Sequence, residues 1–417
     1  MLIALLAVSS AAAPAAAQGA AQGASSAKAK QAAPGKPAVK ASPAQLLGQA
    51  YRAYDAGDLG AAGKALAALD DGQLQNRDYA LWLRGQLALV SGDGLTAARH
   101  FAALRQESGS RYAAAISWRL ADADWERGER DAAVTAYRGL LDAPRAATHA
   151  DLSTVRFRIA SHLADLAERA SGAAAKKARR AAVAALREFI LVSPRHPLAE
   201  RAEARLRALG GPRAGALTAT DRITRAQNLT AAHLWNEAVA ELALVPESSS
   251  VSVRRQRDYW LGTTLFKMRR RYADAGKLLL GVAPHLGQDG AEAMFHGARA
   301  LSRADDDERA IVWYRKVVAK YPRTEWAQEA QFLIGWLELN RGRYAESIEP
   351  LEQVLARYPR SKWVDDALWF LGLAHYLSGH WDKARTQLEL LAKRGGALEA
   401  GKGQYWLCLL YTSPSPR

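Results

Sequence analysis

Cysteine is all but absent from these 417 residues: the single one, Cys408, cannot form an intramolecular disulfide, so no cystine framework holds this chain. Long apolar runs are also missing. Beyond the first few residues nothing approaches the ~20 uninterrupted apolar positions a membrane-spanning helix needs, and no membrane span is expected. The alternating Val/Ile/Thr pattern of half-buried strands does not occur between turn signals, which excludes a sheet-based fold. Nor does the chain carry a glycine-rich phosphate loop, a nucleophile elbow or a zinc-binding histidine pair on a helix. No catalytic, cofactor-binding or metal-binding residue is therefore assigned, and no cofactor is expected. Acidic residues are outnumbered by basic ones, 42 to 57, for a formal charge of +15. That balance suits an anionic partner, but no helix-turn-helix, zinc-finger or RNA-binding signature accompanies it, and no nucleic-acid partner is expected.

What the chain does contain is a repeat. Val317-Val318-Ala319-Lys320-Tyr321-Pro322-Arg323-Thr324-Glu325-Trp326 returns 37 residues later as Val354-Leu355-Ala356-Arg357-Tyr358-Pro359-Arg360-Ser361-Lys362-Trp363. Inside each period an aromatic anchor (Phe295, Phe332, Trp369) precedes a small residue by three (Ala298, Gly335, Gly372). A second small residue follows the anchor by fifteen (Ala310, Ser347, Ala384) and an apolar one by nineteen (Tyr314, Leu351, Leu388). Residues three or four apart share one helical face, so each period encodes two helices that meet through small side chains, closed by Pro322 or Pro359. This is the pattern of tetratricopeptide repeats. The fold class follows: all-α, an α-solenoid of tetratricopeptide-like helical hairpins in two blocks.

The same register extends backward. Leu47, Trp82 and Trp118 anchor three earlier units, with Ala50, Gly85 and Ala121 three residues on and Ala62, Ala97 and Ala133 twelve further. Their apolar partners are Leu66, Phe101 and Tyr137, and the expected turns fall at Gly57-Asp58, Gly92-Asp93 and Gly128-Glu129. A fourth unit keeps Phe157 and Ala160 but delays its second pair to Ala182 and Leu186, which implies a longer first helix or a longer connection. One further helix, Leu198 to Leu209, has no obvious partner. Ile223 with Ala226, Ala238 and Leu242, then Trp260 with Thr263, Ala275 and Leu279, open the later units, and Trp406 stands where the next anchor is due, although Leu409 replaces its small partner.

The organisation expected is accordingly a signal peptide over 1–17, an Ala/Gly/Lys/Pro-rich tether over 18–43 and a first repeat block over 44–209. A linker over 210–220 follows, then a second block over 221–407 and a non-native or disordered tail over 408–417. The apolar stretch Leu2 to Val8, followed by an alanine run ending at Ala17, fits a secretory signal, so a periplasmic location is expected.

Candidate chemical clusters read as structural. His375 and His380 fit a core edge; Asp305-Asp306-Asp307 and Asp365-Asp366 fit helix caps and first-turn charges. Arg254-Arg255-Gln256-Arg257 and Arg269-Arg270-Arg271 read as solvated faces, with an anion-binding edge as the alternative.

The strings Asp221-Arg222-Ile223-Thr224-Arg225-Ala226-Gln227, Ala298-Arg299-Ala300-Leu301-Ser302-Arg303-Ala304-Asp305 and Leu339-Asn340-Arg341-Gly342-Arg343-Tyr344 resemble the helical region of soluble lytic murein transglycosylases. So does Pro194-Arg195-His196-Pro197-Leu198-Ala199-Glu200. The resemblance covers most of 44–407 through scaffold motifs. It implies a support for a peptidoglycan strand, with cleavage performed by a separate C-terminal domain in which one carboxyl group acts as acid and then as base. That family's signature joins a Glu-Ser pair to a downstream Gly-Leu-Met-Gln. Glu107-Ser108, Glu247-Ser248 and Glu346-Ser347 occur here without it, so the resemblance implies a chain that ends before the catalytic domain and is itself inactive. Peptidoglycan or segments of envelope proteins are the expected partners. The alternative function is a non-catalytic tetratricopeptide scaffold for envelope proteins.

Overall fold

The computed structural model describes residues 41–143 except 71 and 73, then 151–394 and 396–412. The expected signal stretch 1–17 and nearly all of the tether 18–43 lie outside the described residues. Those described form twenty α-helices and no strand. They are α1 Pro43–Asp55, α2 Leu59–Ala67, α3 Arg77–Val90, α4 Gly94–Arg105, α5 Ala113–Glu126, α6 Arg130–Leu141, α7 Leu152–Arg169, α8 Gly172–Val192, α9 Ala199–Ala214 and α10 Ala219–Ala231. Then come α11 Trp235–Ala243, α12 Val251–Lys267, α13 Tyr272–Val282, α14 Gly290–Arg303, α15 Asp307–Lys320, α16 Glu325–Asn340, α17 Tyr344–Arg357, α18 Val364–Leu377, α19 Trp381–Arg394 and α20 Ala397–Thr412. From α4 to α9 and from α10 to α20 each helix packs on the next in sequence, the mark of a solenoid. Two compact units divide between Arg84 and Gly85.

The interlock read from spacing is the packing observed. Ala133, Ala238, Ala275, Ala310, Ser347 and Ala384 are fully buried, and so are Tyr137, Leu242, Leu279 and Leu351 one turn further along their helices. Small residues on the first helix are required by the distance at which the second helix passes. A Cβ on Gly335 would stand 2.5 Å from Leu351 Cγ, and one on Gly372 3.0 Å from Leu388 Cγ. At Gly85 the same position would meet the Phe101 ring at 2.5 Å. Each buried leucine or aromatic so seated stabilises its hairpin by roughly 1.5–3 kcal/mol of transfer free energy. Tyr137 brings a hydroxyl into this core and satisfies it on Asp122 at 2.7 Å, with Arg158 donating to the tyrosine oxygen at 2.7 Å.

Four expectations are corrected. The unit expected to begin at Trp260 is shifted by one residue: Gly262, not Thr263, faces Leu279, where a Cβ would lie 2.8 Å from Leu279 Cγ. Tyr259, not Trp260, joins the core around Phe295, while Trp260 packs against the Ile223 cluster. Glycine allows the closer approach, and the spare residue is absorbed in the following turn. The stretch 210–220 is not a separating linker. Helix α9 runs to Ala214 with only Gly211 outside helical geometry, at φ 66° and ψ −166°, just before Pro212, and four residues then lead to α10. Arg187 of α8 binds the Asp221 carboxylate and donates to Ala214 O at 2.6 Å and Ala216 O at 3.1 Å, so the segment is tied down. The division at Arg84 and Gly85 falls inside the expected first block instead. The helix after Pro197 is partnered: α9 packs on α8, and Leu206 is fully buried. Finally, α20 continues through Cys408 to Thr412, into the expected tail, and residues 413–417 lie outside the described residues. Its close approach is made by Gly403, where a Cβ would be 2.9 Å from Leu388 O, in place of the expected small residue at 409.

The long fourth unit is explained by length in both helices, 18 residues in α7 and 21 in α8. Ala160 and Ala182 still meet in its core with Leu186. Phe157, half-buried, stacks on His196 with ring centroids 5.6 Å apart.

Candidate functional site

The clusters singled out in the sequence do local structural work. Asp306 caps α15, accepting from Arg309 N at 3.3 Å, and Asp307 accepts from Ser302 Oγ at 2.7 Å. Asp365, in the first turn of α18, pairs with Arg394 at 2.8 Å. His375 is buried, and burial lowers its pKa; its ring meets His380 edge-on at 5.7 Å. Among the described residues no group of three or more His, Cys, Asp or Glu side chains is placed to hold a metal. Glu346 is exposed on α17, while Ser347 beside it is buried and donates to Tyr344 O at 2.7 Å. Arg254 donates to Glu247 O at 2.7 Å and Arg257 pairs with Glu247 and Asp258. Arg271 pairs with Asp274 at 2.8 Å.

Arg269 is the exception, because it enters a groove of about 820 Å³. The groove lies where three consecutive hairpins turn. Its walls come from the α10–α11 turn with Thr230, His233 and Trp235, and from the α12–α13 turn with Phe266, Lys267, Met268, Arg269 and Tyr272. Arg299 and Arg303, one turn apart at the end of α14, complete it. Four cationic side chains line this groove, and no carboxylate does.

The turn that builds it is unusual at the backbone. Ten residues after the anchor most hairpins place a glycine with positive φ, as at Gly57, Gly92, Gly128, Gly342 and Gly379. In the three hairpins around the groove that position is filled by side-chain-bearing residues: His233 at φ 62° and Arg269 at φ 56°, which line it, and Asp305 at φ 62° and Arg271 at φ 53°, which do not. Histidine and aspartate tolerate this region better than most, but for arginine it costs about 1–2 kcal/mol. The chain accepts that cost and gains a side chain at the tip of each turn. Strain of this kind collects at functional sites.

The lining itself carries positive charge only, with Glu292 behind it 3.8 Å from His296. Arg299 spends one nitrogen on Glu329 at 2.9 Å. Among the described residues Lys267, Arg269 and Arg303 have no carboxylate within 4.0 Å. His296, behind Phe266 with ring centroids 5.1 Å apart, reports the field: burial first, then Arg299 and Lys267, push its pKa down to about 4. The aromatic walls are braced, Trp235 edge-on to His233 at 4.9 Å and Phe266 to Tyr272 at 5.9 Å. Thr230 is taken up by a buried hydroxyl pair with Thr264 at 2.8 Å.

In the sequence Arg269 stands out only as part of a basic run, and nothing in the spacing marks Lys267, Arg303, Trp235 or Tyr272 as site residues. A signal was present, namely that the turn glycine is missing from three successive units while the units on either side keep it.

The tetratricopeptide repeat family model matches residues 292–324 and 329–361, which are α14–α15 and α16–α17. No curated protein matches the sequence. Among solved structures the chain is similar to the tetratricopeptide domain of P58(IPK), at 16% identity and a TM-score of 0.27, over 90% of this chain and 99% of that one. A tetratricopeptide repeat protein from Parabacteroides merdae gives 13% identity and a TM-score of 0.29, over 70% of this chain and 98% of that one. A chain of the Naa15/Naa10 complex bound to HypK-THB gives 14% and 0.35, over 87% of this chain and 55% of that one. Two hairpins thus match the tetratricopeptide repeat model, and the described chain as a whole is an all-α solenoid of tetratricopeptide-like hairpins.

Proposed function

We propose that this chain is a non-catalytic docking scaffold of the bacterial cell envelope, which presents the turn edges of its stacked hairpins to segments of partner proteins. The observation that carries the reading is the pairing of a rigid, repeated interior with an unneutralised groove on its surface. The small residues at the hairpin seams are sealed, and two of the side chains that replace a turn glycine, His233 and Arg269, line the groove. Photo-crosslinkers placed singly at Lys267, Arg303 and, as a control, Glu352 of α17 test it in cells. Discrete protein adducts from the first two positions and none from the third are expected. Adducts equal at all three positions overturn it.

A second reading is favoured by the sequence strings at Asp221–Gln227, Ala298–Asp305 and Leu339–Tyr344, which resemble lytic transglycosylases. In it the same scaffold is periplasmic and supports a peptidoglycan strand for a lyase domain. Co-sedimentation with purified sacculi that falls at high salt supports this second reading. Release of anhydro-muropeptides by the chain alone overturns the statement that it has no catalytic centre.

A further inference from the structure

We infer that the groove between the α10–α11 turn, the α12–α13 turn and the end of α14 is a binding site for a carboxylate-rich, extended segment of a partner protein. The inference rests on the reading of the chain as a docking scaffold and names the chemistry of what it docks.

Charge is the first reason. Several arginines outside the groove are engaged, as Arg158 is with Asp122 and Glu126, Arg205 with Asp165 and Glu168, and Arg222 with Glu241. Lys267, Arg269 and Arg303 converge on one cavity with no ion-pair partner among the described residues, so carboxylates from outside meet cations that give up no existing pair there.

Backbone donors are the second. Helices α2, α4 and α15 each begin at an aspartate, Asp58, Asp93 or Asp306, whose side chain accepts from the first turn. Helices α11 and α13 begin at Leu234 and Arg271 with no side-chain cap, and their first residues, Trp235 and Tyr272, line the groove. Open N–H groups and the positive end of each helix dipole therefore add to the four cationic side chains.

Shape is the third. A volume of about 820 Å³ is the size of a site for a short segment. Trp235, Phe266 and Tyr272 provide apolar walls for the side chains that alternate with acidic ones along an extended backbone. Nucleic acid is disfavoured, because a phosphate backbone needs a track of cations spaced along a strand, whereas these four converge on a single hollow.

The test uses the full chain and a fluorescein-labelled octapeptide of alternating glutamate and leucine, followed by anisotropy. The control peptide has glutamine for glutamate. Binding of the acidic peptide is expected to be at least about tenfold tighter than that of the control and to weaken as salt screens the pairing. Lys267→Gln, Arg269→Gln and Arg303→Gln combined should lower affinity at least about tenfold with the helical circular dichroism unchanged. Arg303→Glu alone, at an exposed and unpaired position, should show the same direction. Equal binding of the two peptides, or unchanged binding by the combined variant, overturns the proposal. Displacement of the peptide by single-stranded oligonucleotide or by peptidoglycan fragments at equal concentration overturns the assignment to a protein segment. Failure here is separable from failure of the scaffold reading. If the crosslinked adducts persist in the combined variant, the groove assignment falls and the scaffold stands; if the groove binds the peptide but adducts are equal at all positions, the reverse holds.

Discussion

The turn edges of α10–α14 and of α16–α19 are built on one plan and part company at a single backbone position. In the α16–α17 and α18–α19 hairpins the turn is made by Gly342 and Gly379, at φ 75° and 76°, and no side chain projects from it. In the three hairpins before them the left-handed position holds His233, Arg269 with Arg271, and Asp305. The seams beneath are alike, with Leu279, Tyr314, Leu351 and Leu388 all buried against small residues. The difference teaches that the interior and the edge of a repeat are specified separately. Packing at the seam admits almost no variation, because a Cβ at Gly335 or Gly372 would strike a leucine. The turn tolerates a strained side chain because the hairpin around it is already held.

The comparison is broken or sharpened most strongly at the seam. Phe295→Ala, at a fully buried anchor, should cost about 3–5 kcal/mol in denaturant unfolding. Trp369→Ala, at a half-buried anchor packed against Trp406 with ring centroids 5.6 Å apart, should cost about half as much. Equal losses would mean that burial at the anchor does not set the energy.

Gly335→Val comes next. Overpacking against Leu351 Cγ should cost about 1–3 kcal/mol, measured by the shift in urea midpoint at constant slope. A neutral result would show that the helices can part, and that the seam is not the rigid element.

The third lies where seam and groove meet. His296 has its pKa lowered from an ordinary 6.5 to about 4, chiefly by burial. Below pH 6.5 the unfolded chain therefore takes up the proton more readily than the folded one. The contribution is fully present above about pH 6.5 and is lost as pH falls through 4, on the order of 3 kcal/mol. His296→Gln should flatten stability against pH in that window relative to the parent chain, as followed by thermal unfolding at a series of pH values.

The smallest effects are at the turns and are opposite in sign. Gly342→Arg should cost about 1 kcal/mol, since arginine must take positive φ there. Arg269→Gly should leave stability level or raise it by up to about 1 kcal/mol, the relief of strain exceeding the added freedom of the unfolded chain. Paired melting curves decide it. A loss in both variants would mean that Arg269 stabilises the fold and is not held at a cost.

Most of the fold was legible because its determinants are local and periodic. An aromatic at one position and small residues three and fifteen further on specify which faces of two helices meet, and the 37-residue offset that relates Phe295 to Phe332 also separates the two stretches the repeat model matches. Where the reading slipped, competition between neighbours was the reason. Tyr259 and Trp260 are both aromatic, and Gly262 and Thr263 are both small, so spacing alone does not choose between registers one residue apart. The glycines near 210–215 signalled a break, yet Arg187, far away in sequence, reaches across and closes it.

Left to itself, the sequence determined that this is a helical chain, where its hairpins fold back and which side chains interlock, because those follow from nearest-neighbour periodicity. Tertiary structure alone decided that Lys267, Arg269, Arg299 and Arg303 share one hollow with Trp235 and Tyr272. That convergence depends on how successive turns stack beside one another, and charges up to 36 positions apart in sequence become a single field only when the backbone gathers them around one cavity.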